Sequence, residues 1–274
     1  MQLIHLVLDS VAYATESWLA EHGATCVPLS YHFEKKNVPE GKPGEFADFF
    51  HRFEKSDEIP TTSQPSVGAF AAVFDQLTEN GDEVICITMS QKLSGTYNSA
   101  KLAQAQSRSD QIHVIDSTLA AACELYLAEL AHRRIRENKG ALEIVRELEA
   151  EIPHLGFYVL VDTLEYLRRG GRIGNVSAML GNLLHIRPII TFDDGVLTAL
   201  DKVRGARRAV YKMLEHIPED ARWIRVQHVL AQEKADRVLA RLKEAYPDAD
   251  VAPAEIGPVL GIHVGPGTIG IAFR

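Results

Sequence analysis

Through the first half of the chain, short continuous apolar runs alternate with stretches of helical periodicity. Residues 3–8 form one run, followed by Asp-Ser and a helical stretch over 13–22 that stops at Gly23. EVICIT (Glu83–Thr88) is a second, followed by the loop SQKLSGT and a helix beginning near Tyr97. Residues 112–115 (IHVI) are a third, followed by Asp-Ser-Thr and a long helix to about Glu137. This alternation predicts parallel strands covered by helices. Between them Phe46, Phe49, Phe50 and Phe53 fall at helical spacing, as do Val67, Phe70, Phe74 and Leu77. Each stripe is the core face of an amphipathic helix.

The pattern changes after residues 138–155, a charged helix closed by Pro153. Residues 156–161 read as a strand, LEYLRRGGRIGN as a basic, glycine-containing turn and 177–184 as an apolar helix. RPIITFDDGVLTAL reads as a hairpin around Asp-Asp-Gly. A helix over 206–216, a strand near 223–229 and a helix near 233–245 follow, and two closing runs flank the glycine-rich turn of GIHVGPGTIGIAF. The expected fold class is α/β in two lobes: a parallel-sheet βα lobe over 1–155, and an α/β lobe with a largely antiparallel sheet over 156–274.

Composition changes this picture little. At 274 residues, 46% hydrophobic and 24% charged, either lobe can bury an ordinary core. The formal net charge of −8 argues against nucleic acid, which needs clustered Lys and Arg. Cys26, Cys86 and Cys123 lie far apart in apolar segments and read as buried thiols of a reducing compartment. No run approaches the ~18 apolar residues of a membrane span, and the expectation is a cytoplasmic protein.

The chemistry gathers in loops. TTSQPS (61–66) carries hydroxyls, an amide and no charge. Pro65 reads as lying just inside the helix over 67–77, with Thr62, Ser63 and Gln64 around its N-cap. One hydroxyl suffices as a cap, so the rest leave both capping and anion binding open. Ser94, Gly95 and Thr96 stand at the mouth of another helix, and Asp116, Ser117 and Thr118 at the edge of the third strand. In open parallel sheets ligands bind beyond the carboxyl ends of the strands, where such loops converge. Hydroxyl loops with little charge among them suit one anionic head group; capping of three separate helices is the alternative.

TSQPS, LSGTY, IDS, LEYLRRGGRIG, RPII followed by a DG turn, KVRG and the terminal HVGPG come in the order seen in the DegV family of bacterial fatty-acid-binding proteins. From about Thr62 to its C-terminus the chain resembles that family. The resemblance implies two α/β lobes with a long-chain fatty acid between them, which some members present to a separate nucleotide-binding kinase subunit for acyl phosphate formation and phospholipid synthesis. It implies that Thr62 and Ser94 hydrogen-bond the carboxylate and that His263 approaches it from the second lobe. Arg172 would lie near the head group and the kinase-facing surface, with Arg168 and Arg169 as partner contacts. Hydroxyls hold a carboxylate without neutralising it, and histidine adjusts its protonation. Met179, Leu180, Leu183, Leu184 and Ile190 are candidate walls of the acyl tunnel, or ordinary core. The chain departs from the family at Val11, where threonine is common, at Ala120–Cys123, where glycines are common, and at Arg187, where lysine is common.

GPGTIG (265–270) matches a dinucleotide fingerprint in letters only, with no room after it for a βαβ unit. No P-loop or nucleophile elbow appears, and no histidine pair has metal spacing. Asp9, Asp116 and Asp162 near strand ends would be the carboxylates of a Mg²⁺ site, were there one. The leading reading is therefore a carrier without cofactor or catalytic residue. The competing reading is an enzyme on a small carboxylated or phosphorylated substrate, with His263 as acid/base and Ser94 as nucleophile. A long apolar tunnel would support the first, a short polar cleft the second, and no cavity at all a purely structural module.

Overall fold

The computed structural model describes residues 3–179 and 186–274. The first lobe runs β1 (Ile4–Asp9), α1 (Glu16–His22), β2 (Thr25–Val27), β3 (Ser30–Phe33), β4 (Lys36–Pro39), α2 (Ala47–Lys55), β5 (Thr61–Ser63), α3 (Val67–Thr78), β6 (Glu83–Thr88), α4 (Thr96–Gln106), β7 (Ile112–Asp116), α5 (Ala122–Arg136) and α6 (Ala141–Glu151). β2-β1-β6-β7 form a parallel sheet buried on both faces, which is why its strands read as unbroken apolar runs. Val7, Val84 and Cys86 pack beneath Phe70, Phe74 and Ala100 of α3 and α4. Their neighbours Leu6, Leu8, Ile85 and Ile87 point the other way, towards Leu127, Ile144 and Leu148 of α5 and α6.

A small antiparallel sheet, β4-β3-β5, lies beside the main one. Its strands span three or four residues and mix polar with apolar positions, so no alternation marked them in the sequence. It also corrects the reading of TTSQPS. Thr61–Ser63 is strand β5, Pro65 precedes the helix rather than entering it, and the cap of α3 is Ser66, whose side chain accepts the Ala69 N–H. The hydroxyls of Thr62 and Ser63 are thus spared from capping.

The second lobe runs β8 (Gly156–Leu160), α7 (Glu165–Arg169), a 3₁₀ stretch (Gly174–Met179), β9 (Ile186–Asp193), β10 (Val196–Arg204), α8 (Ala206–Glu215), β11 (Trp223–His228), α9 (Gln232–Ala245), β12 (Asp250–Pro253), α10 (Pro258–Val264) and β13 (Ile269–Phe273). The sheet order is β10-β9-β8-β13-β11-β12, antiparallel except between β11 and β12. β9 and β10 form the expected hairpin around Asp194-Gly195. Of the two closing runs, the first is helix α10, with His263 in its last turn, and only the second is a strand. The helix expected over 177–184 is, where described, the end of the 3₁₀ stretch. One face of the sheet packs on α8 and α9 through Ile189, Met213, Ile224 and Val238. The other shares a single core with the first lobe, in which Phe157, Val159 and Ala272 join Cys123 and Leu127 of α5. Among the described residues no helix is long and apolar enough to cross a membrane.

Candidate functional site

Between the lobes lies a cavity of ≈ 330 Å³, a size within the roughly 300–1,000 Å³ usual for small-molecule sites. Among the described residues its polar lining is Thr62, Ser63, Gln64, Ser94, Arg172 and His263. The rest is apolar: Leu29, Met89, Leu93 and Ala120 from the first lobe, Phe157, Val159, Ile190, Phe192 and Leu197 from the sheet, and Leu167 of α7 with Val259, Leu260 and Val264 of α10.

The strand β5 and the helix α10 create the central polar pair. Thr62 Oγ1 lies 2.8 Å from His263 Nε2, joining positions 201 residues apart in sequence. Burial, reinforced by the charge of Arg172, pushes the imidazole down to about 4, so the ring is neutral at physiological pH. Among the described residues its Nδ1 is buried without a partner, against Gly170, where a β-carbon would sit 2.1 Å away. A buried orphan N–H costs more than a lone pair left against a methylene. The hydrogen-bond network therefore assigns the proton to Nε2, which donates to Thr62 Oγ1. The Thr62 hydroxyl keeps its own proton to offer into the cavity.

The other polar groups are tied around this pair. Arg172 is exposed and spans the lobes, its Nε donating to Leu93 O (3.0 Å) and its Nη1 to Gly170 O (2.8 Å). Ser94 Oγ hydrogen-bonds Thr96 Oγ1 at 2.8 Å and accepts the Thr96 N–H at 3.3 Å. Gln64 Nε2 donates to Gly95 O and Ser99 Oγ, clamping the TTSQPS segment to the start of α4. On the far side of the seam Ser90 Oγ donates to Gly195 O at the hairpin tip (2.8 Å).

The structure brings Thr62, Ser63, Ser94, Arg172, His263 and Ile190 to the cavity and leaves other candidates outside it. Thr96 is fully buried under Ser94, and the Ser117 hydroxyl is used by its own turn, accepting the Leu119 N–H. Gly95 faces Gln64 instead; a β-carbon there would lie 2.0 Å from the amide oxygen. Met179 is in the common core, and Leu180, Leu183 and Leu184 lie outside the described residues. Arg168 and Arg169 are exposed on α7 and both pair with Glu165, holding its carboxyl down at about 2. Ala120 lines the cavity, and Ala121 beside it takes φ 60°, a region that favours glycine. Leu29, Met89, Phe157, Phe192 and α10 were missed as walls because nothing local distinguishes them from ordinary core.

The three aspartates are all engaged. Asp9 accepts N–H groups from Val11 and Met89, Asp116 from Thr118 and Gln91, and Asp162 lies within ion-pair reach of Arg187 and Lys234. Among the described residues no cluster of His, Cys, Asp and Glu could hold a metal ion. The three cysteines are free, and burial pushes their thiols up.

Comparison with known proteins places this geometry in a family. The DegV family model ("Uncharacterised protein, DegV family") matches residues 3–274, so the likeness begins well before Thr62. A fatty acid-binding protein of Thermotoga maritima is 31% identical over 99% of this chain and 97% of its own length. The structure of a fatty-acid-binding DegV family protein from Thermus thermophilus superposes with a TM-score of 0.91 at 30% identity, covering 100% of this chain and 99% of that one. A stearic acid-binding protein of Eubacterium ventriosum superposes with a TM-score of 0.88 at 26% identity, covering 100% and 98%. On the whole-length match and the shared two-lobe fold, the chain belongs to the DegV family.

Proposed function

We propose that this protein binds one long-chain fatty acid between its lobes and presents the carboxylate to a separate kinase subunit. The observation that carries the reading is the segregation of the cavity, whose polar groups accompany the Thr62–His263 pair while the remaining walls are apolar. The carboxylate would accept from the hydroxyls of Thr62 and Ser94 beside the Arg172 guanidinium, and the acyl chain would lie along Phe157, Val159, Ile190 and Phe192. Each buried CH₂ contributes about 0.8 kcal/mol, so a long chain supplies ample affinity once ordering costs are met. The T. maritima, T. thermophilus and E. ventriosum relatives, named for fatty-acid or stearic-acid binding, support the ligand class.

Presentation to a kinase rests on the exposed Arg172 at the cavity, with the exposed Arg168 and Arg169, both paired with Glu165, preceding it in the chain as further contacts for an acidic partner surface. The reading requires no cofactor. The alternative, with Ser94 as nucleophile and His263 as its base, needs the two within hydrogen-bond reach. Here Ser94 pairs with Thr96 and His263 with Thr62, so nothing favours it.

Solvent extraction and mass spectrometry of protein purified without added lipid tests the ligand. Near-stoichiometric fatty acid is expected. An empty protein that also takes up no oleate or palmitate on titration overturns the reading.

A further inference from the structure

Glu40 lies outside the cavity, yet its carboxyl bonds one wall residue directly and two more through the hydroxyls of Ser10 and Tyr13. It follows β4 and is buried. Its Oε1 accepts the N–H of Val259 in the first turn of α10 (2.7 Å), and its Oε2 accepts the Ser10 hydroxyl (2.6 Å). The Tyr13 hydroxyl, 3.5 Å from Oε1, accepts the N–H of Leu260, and Ser10 Oγ accepts the N–H of Leu29. Leu29, Val259 and Leu260 all line the cavity. Val259 and His263 are four residues apart on one short helix, hence on one face of it. A carboxyl from the first lobe therefore grips one end of the helix whose other end carries the site's histidine.

We propose that Glu40 is the positioning residue for His263: ionised, it clamps α10 so that the imidazole meets Thr62 and the cavity wall is closed; protonated, it loosens that grip and weakens ligand binding. The ligand half of this statement rests on the fatty-acid reading above.

The physical basis is the strength of a charge-assisted hydrogen bond, roughly twice that of a neutral one. The titratable groups that face Glu40 are Asp9 at the end of β1, Tyr13, Cys26 on β2, Tyr31 on β3 and Glu124 on α5, all of them acids. With no cation among these, the carboxylate depends on its N–H and O–H donors. Burial above all, aided by the charge of Asp9, pushes its pKa up to about 7 against the bonds from Ser10 and Val259. The grip thus changes near neutrality, where His263 itself does not titrate.

Affinity and fold stability respond to this group in opposite directions. The unfolded carboxyl ionises at its usual 4.5, whereas the folded one keeps its proton to about 7. Between those values the folded state binds more protons, so Glu40's contribution to stability falls as pH rises. The clamp strengthens over the upper part of the same window. A rise in affinity with pH is therefore not a by-product of Glu40 stabilising the fold.

The test is oleate affinity of the full chain between about pH 6 and about pH 8, beside the NMR signals of His263, assigned by their loss in His263→Asn. Wild-type affinity should fall roughly five- to tenfold towards the acid end, with the His263 signals moving at a midpoint near 7. Glu40→Gln keeps an acceptor for Val259 but cannot ionise; it should bind weakly and equally at every pH, with His263 signals that do not move. Asp9→Asn, which removes the neighbouring acid, should keep a pH-dependent profile. A Glu40→Gln protein with the wild-type profile, or a wild-type His263 that ignores pH in this range, overturns the proposal. A wild type whose His263 signals titrate but which binds no fatty acid refutes the ligand reading and leaves the positioning role standing.

Discussion

Gly170→Ala is expected to cost both stability and ligand binding. The added methyl would lie 2.1 Å from His263 Nδ1 and 2.8 Å from Cε1, with the Tyr166 carbonyl oxygen 3.3 Å away on its other side. Gly170 has φ −74°, which alanine adopts freely, so the effect is steric. The imidazole is buried and must move, which breaks its 2.8 Å bond to Thr62. Overpacking of this kind typically costs about 1–3 kcal/mol. Thermal unfolding should register that loss, and oleate affinity should fall by about tenfold or more as the displaced ring no longer orients the Thr62 hydroxyl, a hydrogen bond to a charged group contributing about 1.5–3 kcal/mol. Removing the imidazole in Gly170→Ala/His263→Ala should restore much of the stability but not the binding. A Gly170→Ala protein with unchanged melting and affinity would mean that His263 is not confined there.

The double variant Thr62→Ala/Ser94→Ala should lose fatty acid more completely. Hydrogen bonds to a charged group contribute about 1.5–3 kcal/mol each, so losing two should weaken binding by at least about a hundredfold. The fold should survive. Thr62 is on an edge strand of a small sheet whose backbone bonds to β3 do not involve its side chain, so the cost there is the buried His263 Nε2–H left unpaired, about 1–3 kcal/mol. The cost at Ser94 is the bond to buried Thr96, about 1 kcal/mol. Co-purified lipid measured by extraction, together with oleate titration, decides the matter. Retention at the wild-type level would show that the carboxylate is bound elsewhere.

How much of this was legible in the sequence follows from burial. The parallel sheet was readable because both of its faces are covered, leaving Leu6–Val7–Leu8 and Val84–Ile85–Cys86–Ile87 apolar throughout. The polar residues of the cavity were readable because Thr62, Ser94, Arg172 and His263 sit in polar or glycine-containing segments that stand out from their surroundings. The strands around Thr62 were not: TTS and KNVP carry no period. Nor were most of the cavity walls. Ile190 lines the cavity while its neighbour Ile189 packs beneath α8 and α9, a choice set by the pleat and by the side from which the other lobe arrives. Glu40, in the segment KNVPEGKPGE, reads as an exposed turn residue until its partners on α10, 219 residues away, are in place.

The core that passes without interruption from α5 into the inner face of the six-stranded sheet governs how the molecule comes apart. Neither sheet can bury that face alone, so a severed half would expose Phe157, Val159 and Ala272, or Cys123 and Leu127, to water. The two lobes should therefore unfold in one cooperative transition, with calorimetric and van't Hoff enthalpies in agreement. A ligand seated in their seam would raise the temperature of that whole transition rather than of one half of it.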